Sequence, residues 1–189
     1  GRQQAIDTTI ACLLSGGHLL IEDIPGVGKT LLAQALAASL GGSFHRIQGT
    51  PDLLPGDVTG TMMPHGDGFD LRFRAGPIFS NIVVFDELNR ANPRTQSALL
   101  EATEEAAVTV DGVTRELPAP FLLVATQNPL EMTGTYPLGE GALDRFAAVV
   151  TPGRAGAADE VEVLTGRRGR GRLRSVVPVV DMADVVRGR

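Results

Sequence analysis

Residues 18–30 read HLLIEDIPGVGKT, a short apolar run that leads into a Gly-rich turn ending in a Lys-Thr pair. The run at 18–21 predicts a strand, and a helical pattern over about 29–40 follows the turn. Glycines at such a junction let backbone N–H groups wrap a phosphate, and the helix N-terminus adds positive partial charge. Asp23 stands where the full phosphate-binding pattern has glycine, so we expect it to turn outward or to help fix the loop. The stretch predicts a phosphate-binding loop.

On both sides of this loop, short apolar runs alternate with helical patterns, which is typical of a parallel sheet covered by helices. The other predicted elements are a helix over 2–15, strands at Phe44–Gln48, 82–85, 121–126 and 147–151, a helix that begins at Asn92-Pro93, and a hairpin of 108–110 and 113–115 around Asp111-Gly112. The fold class that follows is α/β.

The composition limits the classes of function. The chain has 189 residues, 43% of them hydrophobic, and a net charge of −5, which indicates a folded domain and argues against a general nucleic-acid surface. No apolar run approaches the roughly 18 residues of a membrane span, and no secretory signal is visible. The single cysteine, Cys12, cannot form an internal disulfide, which favours a reducing cytoplasm. We expect Cys12 to be a core residue, and the three histidines lack metal-ligand spacing.

Asp86 and Glu87 follow the predicted strand at 82–85, so they lie at the carboxyl end of a strand, where open α/β sheets bind ligands. Asp86 suits a Mg²⁺ shell together with the Thr30 hydroxyl, while Glu87 is placed to position and polarise a water. Lys29, the only lysine of the chain, would reach the β- and γ-phosphates. With the phosphate-binding loop, the acidic pair favours nucleotide hydrolysis.

Two further residues carry open alternatives. Asn128 follows the strand at 121–126 and is either a polar sensor of the γ-phosphate or a turn residue before Pro129. Arg145 is either a finger that stabilises transition-state charge in a neighbouring subunit's site or a surface arginine paired with Asp144. The residues alone favour the surface arginine.

The chain resembles the AAA+ ATPases of the MoxR family over nearly all of residues 1–152. The matching stretches are 17–30 (GHLLIEDIPGVGKT), 46–60 (RIQGTPDLLPGDVTG), 85–105 (FDELNRANPRTQSALLEATEE), 125–129 (ATQNP) and 136–146 (YPLGEGALDRF). The resemblance implies a P-loop AAA+ core with a parallel five-stranded sheet flanked by helices. It also implies a helix-2 insert within about 57–77 and a pre-sensor hairpin over 108–117.

Residue roles follow from the same resemblance. It implies a catalytic role for Glu87, sensor 1 at Asn128 and a trans-acting finger at Arg145, which reverses the preference above. The positions that it implies for nucleotide or metal contact are Pro25, Gly26, Val27, Gly28, Lys29, Thr30, Leu31 and Asp86, with Thr30 and Asp86 as the Mg²⁺ ligands.

The implied activity is Mg²⁺-dependent ATP hydrolysis by a homo-oligomeric ring, a hexamer, that remodels or activates protein clients, often metalloenzymes, with a von Willebrand A domain partner. The alternatives are a magnesium-chelatase-like motor subunit and a nucleotide-dependent binding switch with little turnover. A DNA helicase is weaker, because basic residues cluster only in the Gly/Arg-rich stretch at 167–174.

The predicted domain division is a nucleotide-binding core at 1–154 and a truncated start of a helical lid, or a linker, at 155–189. Residues 157–164 form a helical pattern, but the chain has no motif like GASPRA, which carries the second sensor arginine of such lids.

Overall fold

The computed structural model of the chain describes residues 2–22, 29–66, 70–128, 133–151, 173 and 175–188. The strands in these ranges are β1 (Leu19–Glu22), β2 (Phe44–Gln48), β3 (Gly60–Pro64), β4 (Leu71–Ala75), β5 (Ile82–Asp86), β6 (Ala107–Val110), β7 (Val113–Glu116), β8 (Leu122–Gln127) and β9 (Ala148–Val150). The helices there are α1 (Arg2–Ser15), α2 (Lys29–Leu40), α3 (Pro55–Thr59), α4 (Pro93–Glu105), α5 (Glu140–Leu143) and α6 (Met182–Arg187), with a 3₁₀ turn at Leu88–Arg90.

Five strands form one sheet in the order β2-β5-β8-β1-β9. Every neighbouring pair in this sheet is parallel, which confirms the predicted α/β class and the five-stranded parallel core. The two central strands β5 and β8 are buried along almost their whole length. A parallel sheet covered on both faces requires such continuous apolar runs, and this is why these two strands stand out in the sequence.

The side chains of β5 divide between the two faces of the sheet. Ile82 and Val84 belong to a buried cluster that also contains residues of α1, α2 and α6. Val83 and Phe85 belong to a second cluster, which includes residues of α4 and of the β6–β7 hairpin. Strand geometry directs successive side chains to opposite faces, so the apolar run supplies both halves of the core.

The start of α4 and the end of α2 lie where the sequence predicts them. The Asn92 Oδ1 accepts a hydrogen bond of 3.1 Å from the Thr95 backbone N–H, and Pro93 is the first residue of α4. This is the expected N-cap arrangement. Gly41 directly follows α2 with φ +63°, a conformation that glycine adopts at low cost after a helix.

Two antiparallel hairpins extend from the sheet. In the β6–β7 hairpin, Asp111 and Gly112 have φ of 52° and 72°, as the predicted two-residue turn requires. The β3–β4 hairpin lies within the predicted insert. The two hairpins meet where the Arg115 guanidinium lies 3.9 Å from the centroid of the Phe73 ring, and Phe73 also packs edge-to-face on Phe79. The insert therefore rests on the second hairpin through a cation–π contact.

Predicted elements that fall within the described ranges are present, with strand bounds that differ by one residue at some ends. The predicted helix at 157–164 and nearly all of the Gly/Arg-rich stretch lie outside the described residues. Among the helices of the described ranges, none is both long enough and apolar enough to cross a bilayer.

Candidate nucleotide site

Polar side chains gather at the carboxyl edge of the central sheet. The strands β1, β2, β5 and β8 end at Glu22, Gln48, Asp86 and Gln127, and their parallel pairing brings these ends to the same edge. Glu22 lies opposite Gln127, and Gln48 lies opposite Asp86 in the sheet register. This is the edge at which open α/β sheets bind ligands.

The residues of the predicted phosphate-binding loop fall between β1 and α2 in the sequence, and Pro25, Gly26, Val27 and Gly28 lie outside the described residues. The description resumes at Lys29, which begins α2. Lys29 and Thr30 are half-buried, whereas Leu31 is exposed. The first turn of α2 contains no acidic residue, so no side-chain anion of that turn opposes the positive end of the helix.

Asp86 ends β5 with a largely buried carboxylate that has two described partners. Its Oδ2 lies 2.5 Å from the Nε of Arg46, which is on the neighbouring strand β2. The hydroxyl of Thr126, on β8, lies 3.4 Å from its Oδ1. The carboxylate is thus held in place by the strands on both sides of β5, and Arg46 must yield if Oδ2 is to bind a metal.

Glu87 is held by both its backbone and its side chain. Its backbone is left-handed, with φ 57° and ψ 53°, and its N–H donates to the Thr126 hydroxyl at 2.9 Å. Its Oε2 accepts from the Gln48 Nε2 at 2.8 Å and lies 3.3 Å from a guanidinium nitrogen of Arg90. A left-handed non-glycine residue persists only where its surroundings over-determine it, and such residues cluster at functional sites.

Gly49 allows the close approach of β2 to this turn. Its N–H donates to the Asp86 carbonyl at 2.7 Å, and a Cβ at this position would lie 2.2 Å from the Glu87 carbonyl oxygen. Any larger residue would displace Glu87. The glycine therefore sets the backbone position of the candidate catalytic acid.

Asn128 follows β8 directly and is half-buried at the same edge. The preceding residue, Gln127, donates from Nε2 to Glu22 Oε1 at 2.6 Å, which ties the end of β8 to the end of β1. Asn128 thus follows the strand that lies between β1, which leads to the predicted phosphate-binding loop, and β5, which carries the acidic pair.

Arg145 lies between α5 and β9, and its side chain is 37% exposed. Its guanidinium pairs with Glu104, at the end of α4, at 3.0 Å. The alternative partner named from the sequence, Asp144, was therefore wrong. Adjacent residues of a helical turn do not face each other, so a partner from another element meets Arg145 more readily.

Sequence reasoning missed the residues that hold the acidic pair, namely Arg46, Gln48, Gly49 and Thr126. A signal for them does exist, because each lies within the last three positions of a predicted strand or directly after it. Parallel strands bring those positions to one edge, so polar residues at the ends of neighbouring strands are expected to meet there.

The two predicted metal ligands carry oxygen donors of the type that Mg²⁺ binds. A hydroxyl from Thr30 and a carboxylate from Asp86 are the hard ligands that this ion prefers. Within the described ranges, no group of three His, Cys, Asp or Glu side chains could hold a metal by itself. Two protein ligands, from Thr30 and Asp86, suit an ion that takes its remaining ligands from phosphates and water, as Mg²⁺ does at nucleotide sites.

Comparison with known proteins gives a consistent result. Residues 18–148 match the family described as "ATPase family associated with various cellular activities (AAA)". The protein YeaC of Bacillus subtilis is 47% identical over 186 residues, which are 98% of this chain and 58% of that protein. Chaperone MoxR1 of Mycobacterium tuberculosis is 42% identical over 164 residues, 87% of this chain and 44% of the relative.

Two further comparisons extend this result. Protein MoxR of Methylorubrum extorquens is 34% identical over 152 residues, 77% of this chain and 43% of that protein. A crystal structure of a protein assigned as an ATPase, from Cytophaga hutchinsonii, superposes with a TM-score of 0.88 at 39% identity and covers 100% of this chain and 57% of its own. The chain spans about half the length of the curated relatives that it matches. On its motifs, its fold and these relatives, the chain belongs to the MoxR family of AAA+ ATPases.

Proposed function

We propose that the chain hydrolyses ATP, in a Mg²⁺-dependent reaction, at the carboxyl edge of its central sheet. The observation that carries this proposal is the fixed position of Glu87 beside Asp86 at the end of β5. The Glu87 N–H donates to Thr126 and the Glu87 carboxylate accepts from Gln48, so residues of both neighbouring strands hold that glutamate. A purely nucleotide-binding surface has no need for a second, separately held carboxylate.

The other residues have roles that follow from their chemistry. The backbone of the loop Pro25–Gly28 cradles the phosphates, Lys29 neutralises them, and Leu31 lines the site. Thr30 and Asp86 hold the Mg²⁺, which supplies electrostatic stabilisation of the phosphates when it is bound. Glu87 orients and polarises the attacking water, and Asn128 donates a hydrogen bond to the γ-phosphate or to that water.

Arg145 serves the site of a neighbouring subunit in a ring, which we propose to be a hexamer. The surface position of Arg145 and its pairing with an exposed glutamate support this role, because a ligand with more charge can displace Glu104. A finger of this kind contributes about 10³–10⁵ in rate. An isolated subunit should therefore turn over ATP slowly.

The proposed ATP hydrolysis drives chaperone-like remodelling or activation of a protein client. The support is the Mycobacterium relative, which is named as a chaperone. A metalloenzyme client, a von Willebrand A domain partner and a cytoplasmic location stay predictions, and the last rests on the single cysteine.

The test is Glu87→Gln in the full-length protein, with Glu101→Gln, an exposed acid on α4, as the matched control. We expect Glu87→Gln to bind ATP as tightly as the parent but to lose turnover by about 10²- to 10⁴-fold, because it cannot polarise the water. Glu101→Gln should hydrolyse ATP at the parent rate, and EDTA should stop hydrolysis by the parent and by Glu101→Gln. Equal turnover by Glu87→Gln and the parent would reject the role of Glu87, and ATP binding with negligible turnover in the parent would indicate a binding switch.

A further inference from the structure

Gln96 is a buried side chain of α4 that bonds to two separate segments of backbone. It is 7% exposed, and its Nε2 donates to the carbonyl oxygens of Leu88 at 3.3 Å, Ala91 at 3.0 Å and Tyr136 at 3.0 Å. An amide group has two N–H donors, so one of them is shared between two of these acceptors. The full donor capacity of a buried amide is thus used to join two stretches of chain.

The first segment is the turn that follows the candidate catalytic acid. The Arg90 N–H donates to the Glu87 carbonyl at 2.9 Å, and the Ala91 N–H donates to the Leu88 carbonyl at 3.1 Å. This 3₁₀ turn is therefore a direct continuation of Glu87. A change in the backbone of Glu87 must move the carbonyls to which Gln96 is bonded.

The second segment leads to the candidate finger. The Tyr136 N–H donates to the Asn89 carbonyl at 2.6 Å, so the two segments also bond to each other next to Gln96. Farther along, Leu138 and Leu143 pack against the core cluster that contains α4, and Arg145 pairs with Glu104 at the end of α4. The stretch 136–145 is thus anchored to α4 near both of its ends.

We propose that Gln96 is a positioning residue that links this chain's own Glu87 to the Arg145 that it presents to a neighbour. The inference rests on the proposed function, since it takes Glu87 and Arg145 to act in two different ATP sites. Nucleotide binding that shifts the Glu87 turn would pull on the Leu88 and Ala91 carbonyls and, through Gln96, on Tyr136. Buried hydrogen bonds are costly to break, so the segments move together rather than separate.

The test measures backbone hydrogen exchange in α2 and over 133–143 of the full-length protein, with and without Mg²⁺ and a non-hydrolysable ATP analogue. Gln96→Met keeps the length of the side chain but removes both donors. Ser97→Ala is the matched control, because Ser97 is exposed on the same helix and its hydroxyl donates within that helix to the Pro93 carbonyl.

In the parent and in Ser97→Ala, the analogue should slow exchange both in α2 and over 133–143. In Gln96→Met, it should still slow exchange in α2 with an unchanged Kd, but the protection over 133–143 should be lost. Equal protection of 133–143 in Gln96→Met and the parent would overturn the inference. So would a parent whose 133–143 segment does not respond, or a variant that loses protection in both regions.

A kinetic arm separates finger presentation from nucleotide binding. In the first mixture, Lys29→Ala subunits present Arg145 but bind no ATP, and Arg145→Ala subunits bind ATP but present no finger. In the second mixture, the Lys29→Ala subunits also carry Gln96→Met. The ATP turnover of the two mixtures is compared. We expect the added change to lower kcat with KM unchanged, because Gln96 holds the stretch 136–145 on α4 even in a subunit that binds no ATP, whereas equal kcat would contradict this positioning of Arg145. If Gln96→Met does not fold, Gln96→Asn, whose shorter amide cannot reach all three carbonyls, takes its place under the same criteria.

Failure of the proposed function gives a different result. It would appear as absent protection of α2 by the analogue in the parent, or as no activity in the mixture that lacks the Gln96 change. Failure of the linkage alone leaves both of these signals intact.

Discussion

Glu87 combines a left-handed backbone with side-chain partners on two other parts of the chain, Gln48 and Arg90. Both features restrain the Glu87 carboxylate. A residue that activates a water needs its carboxylate in a fixed position. The restraint has a structural cost, because a left-handed non-glycine residue is disfavoured by about 1–3 kcal/mol. The packing of β2 against the turn through Gly49 is one of the contacts that maintain it.

Gly49→Ala tests this packing. The new Cβ would lie 2.2 Å from the Glu87 carbonyl oxygen, so we expect the free energy of unfolding to fall by about 1–3 kcal/mol and ATP turnover to fall with it. Gly56→Ala is the control, since its Cβ would meet nothing closer than the Thr61 Cβ at 3.9 Å. Urea unfolding and steady-state turnover measure both effects, and equal stability of the two variants would contradict the account.

Cys12 should be inert in the folded protein. It is 3% exposed, and burial raises the pKa of its thiol, so the reactive thiolate is rarer at neutral pH than in an exposed cysteine. A thiol reagent should label the native protein very slowly and should label it fully in denaturant. A cysteine introduced at the exposed position Ser97 should react at once, and native Cys12 reacting at the same rate would show that its burial is wrong.

The sequence predicted that the acidic pair and Asn128 lie at the carboxyl ends of strands, because each follows an apolar run that could be recognised alone. It did not reveal Arg46, Gln48 or Thr126 as partners of that pair. Those contacts depend on which strands are neighbours in the sheet, and that order is set by the packing of helices on both faces rather than by any local pattern.

The helix α4 is the element that organises this half of the molecule. Its N-terminal residues Asn92 and Thr95 both donate to the Leu53 carbonyl, at 2.6 and 2.7 Å, which fixes the chain that follows β2. Glu104, in its last turn, pairs with Arg145, and Gln96, in its first turn, bonds to the turn that follows Glu87. One helix therefore contacts the surroundings of both the acid and the candidate finger.

Asn92→Ala should weaken this element. The substitution removes the N-cap bond to the Thr95 N–H and the bond to the Leu53 carbonyl, and we expect a loss of about 1–2 kcal/mol in the free energy of unfolding. Ser97→Ala, on the same helix but exposed, should stay within about 0.5 kcal/mol of the parent. Indistinguishable urea midpoints for the two variants would argue against the capping role.

The buried elements were predictable, and the exposed hairpin β3–β4 was not predicted from its own residues. The strands β5 and β8 are fully apolar until their last residues, so their pattern is strong. By contrast, β3 and β4 are largely exposed and are defined by pairing with each other. Only the family resemblance indicated an insert there. The six-residue α6 is too short for a helical period to stand out.

At the scale of the whole molecule, the C-terminal described residues pack on the core. Val185 of α6 is 5% exposed within the cluster that contains α1 and α2, and the Val179 N–H donates to the Ser39 carbonyl at 2.8 Å. The division into 1–154 and 155–189 stays a prediction. The MoxR relatives are about twice as long as this chain.

The central claim, that two subunits share one ATP site, is tested most directly by ATP turnover against protein concentration. The samples are the parent, Arg145→Ala, Lys29→Ala and an equal mixture of the two variants. We expect turnover per subunit in the parent to rise with concentration, each variant to fall by about 10³–10⁵, and the mixture to recover part of the activity, because each variant supplies what the other lacks. Turnover that is independent of concentration, an Arg145→Ala rate equal to the parent's, or a mixture as inactive as its components would contradict the shared site.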